Sequence, residues 1–186
     1  MATSTLVRWG GLAAVVAAAL FIIADLVFLF IVLAQGPLEG LLLRDVLGAV
    51  AGVLLSLGLV ALYAYESETA GVFGLLGFVV AYVGVVLTLT GVIWATVLAS
   101  VGWVVFGLAC LDAQVYPRAA TIALLIGAML SVITNALIGG GLLVGSTGYV
   151  VGSVVVDIIF EAAIGWLGIN LFKRRDPEIR ERTEVG

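Results

Sequence analysis

The sequence predicts an all-α protein, a polytopic transmembrane bundle of six helices, and three observations carry that prediction. First, 63% of the 186 residues are hydrophobic and 11% charged, with a mean hydropathy of +1.31; soluble domains run near about a quarter charged. Second, apolar runs recur at the length of about 20 residues that crosses roughly 30 Å of hydrocarbon. Third, the breaks between runs carry glycine, proline or charge. One bundle over residues 1–172 and a polar tail at 173–186 follow, rather than two domains.

The first span covers about residues 8–35. Its apolar run from Gly10 to Leu33 is roughly twice the length of a secretory h-region, so it reads as a retained helix. Gly36-Pro37 closes it. The second span, about 45–65, ends at the polar "ESETAG" loop. Residues 71–111 contain no charge at all. As one helix they would extend about 60 Å, twice the membrane, so they must fold back. A turn near Gly91 to Trp94 leaves spans at about 71–91 and 95–114. "VYPR" introduces the fifth span, about 118–143, and the glycine-rich "GGG" and "GSTG" stretches connect it to the sixth, about 149–172.

Basic residues set the expected orientation. With six spans, Arg8, Arg118, Lys173, Arg174, Arg175, Arg180 and Arg182 share one side and Arg44 lies on the other. That seven-to-one split predicts that both ends of the chain are cytoplasmic. Tyr63, Tyr65, Tyr116, Tyr149 and Trp9 fall near the expected interfaces, while Trp103 and Trp166 lie deeper and read as core packing.

Lipid tails are as apolar as leucine, so helices associate where small residues let backbones approach. Gly48 and Gly52 form a GxxxG step continued by Ser56. Gly77, Ala81 and Gly84, with Thr88 and Gly91, follow one face of the third span. Gly127, Ser131, Asn135 and Gly139 are spaced by four on the fifth, and Ser153, Asp157, Glu161, Gly165 and Gly168 form the stripe of the sixth.

The polar members of these stripes are the candidate site. Asp25, Asn135 and Asp157 fall at similar depth in the outer half of the membrane, with Glu161 about one turn deeper. Acidic side chains there cost about 2.5 kcal/mol or more to insert, so they should face inward. The expected spans hold no Lys, Arg or His to pair with them. Burial and mutual repulsion then disfavour two charges on Asp157 and Glu161, and at least one is expected to be protonated. Two readings stay open: neutral polar glue between the first, fifth and sixth helices, or a proton- or cation-responsive site. A bound polar ligand is a further option, as is a pairing with Arg44 from the first loop, although Glu39 and Asp45 compete for that arginine.

The inventory excludes much catalysis. The chain has no histidine, which removes Ser-His and Cys-His nucleophile systems and imidazole-held zinc or haem. Cys110 is the single cysteine, so no disulfide framework exists. No catalytic residue, metal site or cofactor is implied. The basic residues are few and sit at span ends, which argues against nucleic acid. The lipid bilayer is the partner the composition demands, with other membrane subunits or self-association as further possibilities.

"AQVYPRAATIALLIGAML", followed in the next helix by "IIFEAAIGWLGINLFKR", resembles the C-terminal half of an uncharacterised bacterial multi-pass membrane family known as a domain of unknown function. The points of likeness are Pro117-Arg118, Gly127-Ala128, and Glu161 ahead of Trp166 and a basic exit, over about 75 residues. The resemblance implies a bacterial cytoplasmic membrane and a polar Glu161, and no activity. The sequence therefore predicts a non-enzymatic structural or assembly component. The alternative is a small proton- or cation-coupled transporter or channel.

Overall fold

A computed structural model describes residues 2–35, 41–92, 94–139 and 147–173. Among these residues the chain forms six helices and no strands: α1 (Ala2–Gln35), α2 (Leu41–Glu66), α3 (Gly71–Thr88), α4 (Ala95–Ala113), α5 (Arg118–Gly139) and α6 (Thr147–Lys173). Each is long and apolar enough to cross a membrane. The expected end of the fifth span at 140–143, the "GSTG" link and the tail from Arg174 onward lie outside the described residues.

The helix ends follow local chemistry. After α2, the amides of Thr69 and Ala70 both donate to the Glu66 carbonyl at 2.9 Å, and Gly71 opens α3 at φ 57°. α3 stops at Thr88, three residues earlier than the sequence suggests. The amides of Thr90 and Gly91 close the turn onto Leu87 and Thr88, with Gly91 at φ 76°. Positive φ at these two positions is where glycine carries little steric cost. α4 ends on Gln114 in the left-handed conformation, its amide bonded to the Cys110 carbonyl.

Sequential helices pack side by side and α6 closes the ring onto α1; α2 also touches α6. The result inverts a soluble core. Large apolar side chains such as Phe30, Leu57, Phe73 and Ile133 point outward, while Ala14, Ala17, Ala51, Ala81, Ala120 and Ala128 are fully buried. In lipid this costs nothing, and small residues inside bring helices close enough for dispersion contacts. The α3–α4 pair shows how tight that is: a Cβ on Gly77, Gly84 or Gly102 would collide with the backbone of Phe106, Ala99 or Ala81. A Cβ on Gly127 would lie 2.7 Å from Phe160 Cα, and one on Gly168 2.7 Å from the Gly11 carbonyl. Gly52 faces Leu89 and Gly165 faces Ala18, whereas Gly48 has ordinary room beside Phe21. The surroundings of Gly139 lie outside what is described.

Two apolar clusters fill the interior. The larger draws on all six helices, including Leu59, Leu62, Phe106, Leu124, Ile164 and Leu167 around Trp103, whose ring meets Phe106 and Phe160 edge-on. The smaller joins Phe28 and Val32 of α1 to Val154 of α6. Trp166, expected in the core, is 44% exposed and faces outward, because Gly165, Leu167 and Gly168 occupy the inner face beside it.

Candidate functional site

Asp25, Arg44, Asp157 and Glu161 form a polar cluster where α1, α2 and α6 meet. Along α1 it lies between the residues each apolar cluster draws on, Ala14 and Ala17 on one side and Phe28 and Val32 on the other. Its centre is an ion pair. Arg44 Nε donates to Asp25 Oδ1 at 2.8 Å, and Nη2 reaches Asp157 Oδ2 at 3.5 Å. The guanidinium also lies 4.8 Å from the centre of the Phe28 ring, a cation–π geometry.

This corrects the expectation that no basic residue lies within the spans. α2 begins at Leu41, so Arg44 is helical and inside the apolar segment that runs from Leu43 to Glu66. Its side chain extends along the helix while the charged head finds carboxylates, which offsets the cost of leaving water. The neighbouring Asp45 is exposed and does not take the arginine.

Glu161 is the unusual member. It sits at mid-helix, is 7% exposed, and its Oε2 is buried without a hydrogen-bond partner among the described residues. Asp25, Asp157 and Arg44 are all near enough to act on it electrostatically. Asp25 is as buried, at 4%, but has its arginine; Asp157 is less covered, with 26% of its side chain exposed.

Asn135 does not join this group. Its Nδ2 donates to the carbonyl and hydroxyl of Ser131, and the Ser131 hydroxyl bonds Ser100 of α4 at 3.0 Å. Depth placed Asn135 level with Asp157, but rotation of α5 turns it toward α4.

A third polar group was not foreseen. Glu66, read from sequence as part of the loop, ends α2 fully buried, and the Cys110 thiol donates to its Oε2 at 2.9 Å. Its Oε1 is a second buried oxygen without a hydrogen-bond partner among the described residues. Beside it the Tyr116 hydroxyl donates to the Leu62 carbonyl at 3.0 Å. The available signal was that Glu66 directly ends an apolar run; that Cys110 lies opposite is a contact between α2 and α4 that spacing does not reveal.

Among the described residues no group of three or more His, Cys, Asp or Glu side chains is arranged to hold a metal ion. Comparison with family models, curated proteins and solved structures gives no match to this chain.

Proposed function

We propose that this membrane protein is a non-enzymatic structural or assembly component of a bacterial cytoplasmic membrane, with Arg8 and the 173–186 tail on the cytoplasmic side. One observation carries the reading: internal polar side chains tie helix to helix around an apolar core that runs through all six. Arg44 links α2 to α1 and α6, Ser100 links α4 to α5, and Cys110 links α4 to α2. Such ties hold helices in register where the hydrophobic effect offers no discrimination. The seven-to-one division of basic residues supports the orientation, and the resemblance in the C-terminal half supports the bacterial membrane.

Gentle solubilisation of native membranes should return the protein in a particle of defined mass larger than one chain. In sealed vesicles the purified protein should pass no more protons or monovalent cations than empty vesicles do. A lone monomer would overturn the assembly role. Flux that Glu161→Gln abolishes would establish the second reading, a proton- or cation-coupled transporter, which the unpartnered Glu161 oxygen favours.

A further inference from the structure

Carboxyls outnumber bases in the α1–α2–α6 cluster, and the surplus falls on one side chain. Arg44 is engaged by Asp25 at 2.8 Å and makes a longer contact to Asp157 at 3.5 Å, while Glu161 Oε2 is buried with no hydrogen-bond partner among the described residues. Glu161 and Asp157 are four residues apart on α6, so their Cβ atoms stand about 5–6 Å apart on one face.

The groups facing them can be named element by element. α1 presents Asp25, α2 presents Arg44, and α6 itself presents Asp157. α5 carries no acid or base after Arg118, its first residue. With every group ionised, three carboxylates and one guanidinium sum to −2; one proton brings this to −1.

We propose that Asp157 and Glu161 hold one exchangeable proton between them, with Glu161 as its buried seat and Asp157 as its entrance. A proton suits the site better than a metal ion, because no set of three ligands is arranged for one among the described residues and a proton needs no cavity. It turns the orphaned oxygen into a hydroxyl. That hydroxyl can donate to a main-chain carbonyl one turn back, as Ser56, Thr88 and Ser100 already do in this bundle.

Exchange moves the proton from the Glu161 carboxylic acid to the Asp157 carboxylate, leaving a Glu161 carboxylate and an Asp157 carboxylic acid. The four-group charge stays −1 during this transfer. Asp157, with 26% of its side chain exposed, then gives the proton to a water outside the bundle, which becomes hydronium, and the four groups are left at −2. Two carboxyls that share a site resist double ionisation, so they titrate as a pair. The inference does not depend on the assembly role: a site that binds a proton without passing it satisfies both.

The test is infrared spectroscopy of the full chain in lipid nanodiscs at neutral pH, reading the carbonyl stretch of protonated carboxylic acid. The difference between wild type and Glu161→Gln should contain one carboxylic-acid equivalent, and Asp157→Asn should retain that band. A difference spectrum without the band, or loss of the band in Asp157→Asn alone, overturns the proposal. If Glu161→Gln does not fold, a lipophilic carbodiimide, to which a protonated carboxyl gives its proton and then adds through oxygen, replaces it on wild type. An adduct at Glu161 that declines as pH rises supports the site; reaction confined to other carboxyls, or none, overturns it.

Discussion

At the scale of the residue, Arg44 concentrates the cluster's favourable electrostatics. Removing one partner of a buried ion pair costs about 3–5 kcal/mol, because the other charge is left uncompensated. A third of the Arg44 side chain is exposed, so the lower end of that range applies, about 3 kcal/mol for Arg44→Gln. The same change in an Asp25→Asn background should cost less, since the charge stranded at Asp25 has gone and only the longer contact to Asp157 is lost. Thermal unfolding of the four proteins of that cycle checks the coupling; strictly additive losses would show that the pair contributes nothing. Tyr116 offers a pH test outside the spans. Burial pushes its hydroxyl well above the ordinary tyrosine value of 10, so above about pH 10 the unfolded chain ionises at this residue first. The stability it contributes is complete below that pH and is lost as pH rises past it. Tyr116→Phe should be about 1 kcal/mol less stable at neutral pH through the lost bond to Leu62. Its deficit should shrink in alkali, and melting temperatures against pH that stay parallel would contradict this.

At the scale of the element, the α3–α4 hairpin depends on backbone approach. A methyl at Gly102 meets the Ala81 main chain, which cannot yield as a flexible side chain can. Gly102→Ala should therefore destabilise the protein by about 1–3 kcal/mol, the usual cost of overpacking. Gly48→Ala, whose nearest foreign atom would be the Phe21 ring at 3.9 Å, should change little. Melting temperatures in one detergent compare them directly, and equal effects would mean that the glycine stripe is not what seats α4 on α3. The α1–α6 contact obeys the same logic at Gly11 and Gly168.

At the scale of the whole molecule, the three spans α3, α4 and α5 between them put the 67–70 turn and the C-terminal end of α5 at opposite faces of the bundle. With the proposed orientation, a membrane-impermeant thiol reagent added outside should modify Ser146→Cys and spare Ser67→Cys. Both variants are made in a Cys110→Ser background, where a hydroxyl can still donate to Glu66. Labelling at Ser67 alone would invert the orientation, and labelling at both would be incompatible with six spans. The ring also explains why α2 bears two of the internal ties. It meets α1 and α6 near Arg44 at one end, and its far end, at Glu66, reaches α4.

Span number and approximate bounds were determined by the sequence alone. A helix needs about 20 apolar residues to cross lipid, so the lengths of the apolar runs and the breaks between them count the spans. The faces of α3 and α6 were also legible, because small residues recur there at helical spacing. Partner choice was not. Small residues mark which face of a helix turns inward but not which neighbour it meets, and the order of the ring is a long-range property. Only the tertiary structure decided that Arg44 turns to Asp25 and Asp157, that Asn135 turns away to Ser131, and that Glu66 enters the core to meet Cys110. It also left Glu161 with an unpaired oxygen, since one guanidinium on α2 reaches two of the three carboxyls that α1 and α6 bring to it.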